Sequence, residues 1–291
     1  RSCHLYNTVI NSLKNYFLLM RIDKPIGTLL LLWPTLTALI IAGDGNIEAY
    51  LLIVFCLGTF LMRSAGCVIN DYLDQNFDKK VSRTIERPLA SGKVTNIEAL
   101  SLFIFLITIS SLLLSFLNFL SFLIALVFVI LVILYPLAKR VMKMPQIFLG
   151  IVFSGGIPLA FSATLNDLPY SAFILMLANF CWIFSYDTAY AMTDREDDQL
   201  LNIGNSALYL KGKEKLIIFI GSLINLLLLF FLGLGENINS YFYIFFLLNG
   251  LFLVYSIIII EEKDKYSFFI FFKKNNYIGL LIFISFYIGL I

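Results

Sequence analysis

The chain has 291 residues, enough for two soluble domains, but 60% of them are hydrophobic and only 14% are charged. Soluble proteins average about 45–50% and about 25%, so this composition, with a mean hydropathy of +0.89, excludes them and predicts an all-α polytopic membrane protein. The net charge of +2 gives no sign of nucleic acid binding. A single histidine, His4, and four cysteines (Cys3, Cys56, Cys67, Cys181) without CxxC spacing argue against imidazole acid–base chemistry, a zinc site or a disulfide framework.

The opening "RSCHLYNTVINSLKNYFLLM" has a weak apolar stripe and no small-residue cleavage site, so it is not read as a signal peptide. A spanning helix needs about 20 apolar residues. Such runs lie at roughly 25–43, 49–69, 98–117, 119–138, 146–165, 170–191, 215–235, 240–260 and 274–291. Nine helices are expected. The last apolar run starts at Tyr277 and holds fifteen residues, about 22 Å of helix; it must recruit Lys273–Asn276 or stay short. Pro34 and Gly155-Gly156-Ile157-Pro158 should kink or loosen the first and fifth spans. Thr95-Asn96-Ile97-Glu98 reads as a capping box opening the third.

Apart from Arg63, every Lys and Arg falls in the N-terminal arm or in alternate connections, while the turns near 44, 118, 167 and 236 carry none. By the positive-inside rule the N-terminus lies in the cytoplasm. The second and sixth connections, at about 70–97 and 192–214, are long and polar, and long connections are where function concentrates.

The second connection begins "NDYLDQNFDKKVSRTIERPLASGKV". Asn70, Asp74 and Asp78 recur every four residues with Asp71 beside them, so they share a helical face. A second acidic run, "YDTAYAMTDREDD", ends the sixth span on the same side of the membrane; Asp187, Asp194 and Asp198 fall near one face. The clusters are 123 residues apart, and each follows the second helix of a four-helix block. Taken singly, either could be a solvated acidic helix end. Two together, both uncomfortable without a cation, point to Mg²⁺, which takes hard oxygen ligands and bridges to phosphates. Lys79, Lys80, Arg83, Arg87 and Arg195 lie in the same connections, and Lys139 and Arg140 in the fourth, on the same side of the membrane. Some of these only set topology; the others have the chemistry an anionic phosphate needs. Acids, metal and bases at one membrane face imply a diphosphate ligand.

These residues carry a resemblance. "FLMRSAGCVINDYLDQNFDKKVSRTIERPLASGKV" resembles the first motif, NDxxDxxxD with a downstream RPL, of the UbiA family of intramembrane aromatic prenyltransferases, and "YDTAYAMTDREDD" resembles its second, DxxxD. "MRIDKPIGTLLLLWPTLTALIIAG" and "YPLAKRVMKMPQIFLG" are similar to the subfamily that acts on 4-hydroxybenzoate, and "NIGNSALYL" departs slightly from the usual Ser-Thr-Ala run.

The resemblance implies one transmembrane prenyltransferase domain over 1–291: repeat-like halves at about 20–138 and 146–260, and a terminal helix, around a central cavity. It implies Mg²⁺-dependent transfer of a polyprenyl group from polyprenyl diphosphate to 4-hydroxybenzoate, ortho to the hydroxyl, a step of ubiquinone biosynthesis. Carried over by position, Asn70, Asp71, Asp74, Asp78, Asp194 and Asp198 would hold Mg²⁺-diphosphate. Arg140 would contact the diphosphate, and Lys79, Arg83, Arg87 and Lys139 are further candidates for it. Tyr186 and Tyr190 could shield an allylic cation through their ring faces. Asp187, inside the membrane, is a candidate proton acceptor; Arg63 could pair with it or bind the benzoate carboxylate.

A secondary transporter is the rival class, but its acids should lie near the midplane, whereas these cluster at one rim. The partners expected are the two substrates and the lipid bilayer, with no obligate protein partner. With no presequence evident, a bacterial inner membrane is expected.

Overall fold

A computed structural model describes residues 12–81, 84–201, 203–236 and 238–291 (for Lys139, the backbone only), and every regular element among them is a helix. After a helical segment over 12–19 come α1 (Ile26–Ala42), α2 (Ala49–Asp78), α3 (Asn96–Leu114), α4 (Phe119–Val141), α5 (Pro145–Phe153), α6 (Gly156–Leu165), α7 (Tyr170–Leu201), α8 (Ser206–Leu210), α9 (Glu214–Gly235), α10 (Tyr241–Ile258) and α11 (Lys265–Leu290). Eight segments are long and apolar enough to cross a membrane, with α5 and α6 taken together as Pro145–Leu165; α1, at 17 residues, is shorter. The described residues therefore hold eight full-length candidates and a short one where nine were expected.

Local chemistry explains the helix ends. Thr95 accepts from the Glu98 backbone N–H, and the Glu98 carboxylate accepts from the Thr95 N–H at 2.7 Å, so the expected capping box opens α3. The Gly155-Gly156 run does more than loosen the fifth span: it divides it, with Ser154 closing α5. At Gly156 a Cβ would run into the Thr35 side chain, so the break lets this segment approach α1 closely.

The last helix corrects the sequence reading. It begins at Lys265 rather than near 274, because the Asp264 carboxylate accepts from the Tyr266 and Ser267 N–H groups at 2.9 and 3.0 Å. Lys273 and Lys274 thus lie inside α11 and are not loop charges. Their ammonium groups sit over rings, Lys273 above Phe269 at 4.5 Å and Lys274 above Tyr255 at 5.0 Å, which lets them occupy a mostly apolar helix. Asn275 and Asn276, the polar pair that made this stretch look like a loop, accept from the indole N–H groups of Trp182 and Trp33 at 2.7 and 2.9 Å. Such bonds between spanning helices satisfy groups that lipid cannot. Gly279 lies one turn on, where a Cβ would come within 2.7 Å of Trp182 and 2.8 Å of Trp33.

The chain divides into two compact units, one formed by the residues up to Thr28 with Leu57–Phe116, the other by Leu29–Cys56 with Leu117–Ile291. The first has its own core of Leu19, Ala65, Val68, Leu89, Val94, Ala99 and Leu106. In the second, α7 is the central helix: Ala172, Ala178, Trp182, Ile183, Tyr186 and Ala189 are among its buried residues. Large apolar residues are also exposed along several helices, including Phe119, Leu126 and Ile130 of α4 and Leu247 and Leu251 of α10. An apolar outer surface of this kind suits lipid.

Candidate active site

In the first unit the candidate site is built on the C-terminal end of α2. This helix runs some nine residues beyond the apolar stretch, to Asp78, and so carries the first acidic motif on ordered helical turns. Asp71 is 2% exposed, and both its oxygens lie 2.8 Å from Nη2 of Arg21. Nη1 of Arg87 bridges two carboxylates, donating to Asp71 Oδ1 at 3.1 Å and to Asp78 Oδ2 at 2.8 Å. A buried carboxylate with two guanidinium partners marks a place where positive charge is required.

Arg21 takes part from an unusual backbone. It sits at φ +60° where the 12–19 helical segment ends, and its guanidinium also donates to Leu18 O. Glycine is the common residue for that left-handed turn; arginine here brings a cation to Asp71. The sequence reading counted Arg21 only as a topology charge, and no spacing links it to a carboxylate 50 residues away.

Asn70 and Asp74 are half-buried, and Lys79 is exposed. Arg83 lies outside the described residues. Arg63 is half-buried within α2, with its guanidinium packed against Gly27, where a Cβ would meet Nη2 at 2.6 Å.

In the second unit, α7 extends to Leu201, so its acidic motif is helical too. Trp182, Tyr186, Tyr190, Asp194 and Asp198 recur every four residues and form one stripe, aromatic inside the bundle and acidic at its end. Rings from α11 pack along the aromatic part. Phe272 lies 6.0 Å from Tyr186 and 4.8 Å from Tyr190, and Phe269 lies 6.4 Å from Tyr190. Phe269 and Phe272 escaped the sequence reading because it started the last span beyond them. Asp187 is half-buried next to Tyr186.

The acidic end of the stripe meets the segment that follows it. Asp198 Oδ2 accepts from Asn205 Nδ2 at 2.7 Å. Arg195 is ion-paired with buried Glu214 at 3.5 Å. An open polar recess of ≈ 610 Å³ is lined by Arg195, Asp198, Gln199, Ile203, Leu208 and Lys211, among others. Arg140, near the end of α4, is exposed; the side chain of Lys139 lies outside the described residues.

Among the described residues no three carboxylate, thiol or imidazole groups converge tightly enough to bind a metal by themselves. The donor chemistry nevertheless fits Mg²⁺. Every candidate ligand is an oxygen, and Arg87 Nη1 already stands as a bridging cation between Asp71 and Asp78. A metal there would displace guanidinium nitrogen from carboxylate oxygen.

Residues 31–284 match the UbiA prenyltransferase family. Over 275 residues the chain is 44% identical to a 4-hydroxybenzoate octaprenyltransferase of Psychromonas ingrahamii, covering 94% of this chain and 96% of that one. It is 45% identical over 268 residues to the enzyme of the same name from Aeromonas hydrophila, covering 92% and 93%. Among solved structures, a UbiA homologue from Aeropyrum pernix superposes with a TM-score of 0.76 at 20% identity, covering 88% and 96% of the two chains. One from Archaeoglobus fulgidus, bound to GPP and Mg²⁺, gives 0.69 at 16% identity, covering 92% and 99%. These two establish likeness of fold.

Proposed function

The chain belongs to the UbiA prenyltransferase family, and from that premise we propose that it transfers a polyprenyl group from polyprenyl diphosphate to 4-hydroxybenzoate. The observation that carries this reading is the 44–45% identity, over more than nine-tenths of each chain, to enzymes named for that reaction.

The allylic C–O bond breaks and its electron pair leaves with the diphosphate. The ring carbon ortho to the hydroxyl then supplies the pair for the new C–C bond and loses its proton. Mg²⁺, when bound, supplies positive charge that stabilises the leaving group. The two acidic faces, with Asn70, Asp71, Asp74 and Asp78 on one and Asp194 and Asp198 on the other, act in this account on one Mg²⁺-diphosphate. Arg21, Arg87 and Arg140 are assigned to the phosphate oxygens, to which guanidinium offers paired donors. Lys79, Arg83 and Lys139 are assigned to the surrounding field that draws in the anion.

The rings of Tyr186, Tyr190 and Phe272 exclude water from the allylic cation and present π faces to it. Asp187 takes the proton, and Arg63 holds the acceptor's carboxylate. Purified protein with a polyprenyl diphosphate and Mg²⁺ should release diphosphate only when an aromatic acceptor is added, fastest with 4-hydroxybenzoate. Faster turnover with homogentisate or dihydroxynaphthoate would move the chain elsewhere in the family.

The several apolar helices make this a multi-pass membrane protein. We assign the active face to the cytoplasm of a bacterial cell, where the loop cations fall. Cysteines placed near Asp44 or Asp167 should react with an impermeant thiol reagent outside intact cells lacking Cys3, and one near Lys211 should not. The reverse pattern overturns the orientation.

A further inference from the structure

Beyond the end of α7, residues 205–207 form a buried strap against that helix. Asn205 is 2% exposed and spends its whole carboxamide there. Its Nδ2 donates to Ala191 O at 2.9 Å and to Asp198 Oδ2 at 2.7 Å, while its Oδ1 accepts from Ala207 N–H at 2.7 Å. Ala191 and Asp198 are two turns apart on one face, and Asp194 lies on that face between them. The strap is anchored beside it: Ser206 N–H donates to Gln146 Oε1 at 3.1 Å, and Ser206 Oγ donates to Thr188 Oγ1 at 3.2 Å.

We propose that Asn205 is a positioning residue that fixes the Asp198 carboxylate in the orientation needed to take a divalent cation with the diphosphate. The proposal rests on the reading of Asp198 as a metal ligand. An aspartate at a helix end can adopt several rotamers, and freezing one during metal capture costs entropy. A donor that is itself held by two further bonds, to Ala191 O and from Ala207 N–H, removes that cost in advance. Each carboxylate oxygen has two lone-pair directions, so accepting from Asn205 leaves Asp198 able to ligate. Partners that orient a ligand in this way are commonly worth about ten- to hundredfold in metal affinity.

No charge or spacing rule would single out this amide. It would look like a mere helix N-cap, because it also opens α8. The two roles separate experimentally, since Ser206 anchors the same strap without touching Asp198.

The test is Mn²⁺ binding to the full-length protein in detergent with inorganic diphosphate, read from the free-ion EPR signal, alongside thermal midpoints without metal. Asn205→Ala should weaken Mn²⁺ binding about tenfold or more. Ser206→Ala should lower the midpoint and leave Mn²⁺ binding unchanged. Equal Mn²⁺ binding in the parent and Asn205→Ala, or equal weakening in both variants, overturns the assignment. A parent that binds no Mn²⁺ with diphosphate overturns the metal reading itself. Asn205→Asp keeps the Ala207 cap but sets a second negative charge against Asp198, so it serves if the alanine variant does not fold. Its metal-free midpoint should fall, and Mn²⁺ with diphosphate should close the gap; a gap indifferent to metal counts against the proposal.

Discussion

Asp194→Asn should lose about 10²–10³-fold in turnover while the protein stays folded, because the change removes a negative ligand at a half-exposed helix end and relieves repulsion from Asp198. Asp71→Asn should lose as much turnover and also lose stability. The sequence alone, read as two crowded acidic faces, predicts that neither substitution harms the fold. The structure changes that expectation for Asp71, which is 2% exposed and holds both Arg21 and Arg87. An amide there leaves two guanidinium groups facing a neutral partner, at a cost of about 1–3 kcal/mol. Both arginines are about one-fifth exposed, so water softens the loss and keeps it within that range. If the two clusters serve one diphosphate, the double variant should be little slower than either single one, as for groups that work as a unit. Turnover by each variant and thermal midpoints without metal check both halves; independent, multiplicative losses contradict a shared ligand.

Arg87→Gln should produce the second large effect, with a signature that depends on metal. Without Mg²⁺, the loss of the bridge between Asp71 and Asp78 leaves two carboxylates two turns apart on one helix face with less positive charge between them. A drop of about 1–3 kcal/mol follows, read as a fall of several degrees in thermal midpoint. Millimolar Mg²⁺ should restore more of the midpoint in this variant than in the parent, because a divalent cation can take the bridging position. The KM for polyprenyl diphosphate should rise about tenfold or more, as expected for loss of a charged contact to phosphate. A midpoint that falls equally with and without Mg²⁺ would assign Arg87 a structural role alone.

The parts of this molecule that follow from helical period and charge were legible in the chain. Carboxylates at four-residue spacing landed on continuous helices, α2 and α7, because both helices extend past their apolar spans. The Thr95–Glu98 box and the Gly155-Gly156 break act within a few residues, so local chemistry decides them. The start of α11 was not legible, since Lys273, Lys274, Asn275 and Asn276 look like a polar connection. Only rings and indoles brought from distant segments make those residues tolerable inside a helix. Arg21 and Asn205 were missed for a related reason. Each acts through a directed side-chain group set by irregular backbone next to a helix, a left-handed turn at Arg21 and an extended N-cap at Asn205, and such backbone leaves no periodic trace.

The central claim is the bond that is made, and the most direct measurement is the product. Purified protein given Mg²⁺, 4-hydroxybenzoate and geranyl diphosphate as a short probe should yield a single adduct by mass spectrometry. Its proton NMR spectrum should show three aromatic protons, with the prenyl group on the carbon next to the hydroxyl-bearing one. An O-linked ether or an ester with all four ring protons retained, or free geraniol with no adduct, would contradict the account.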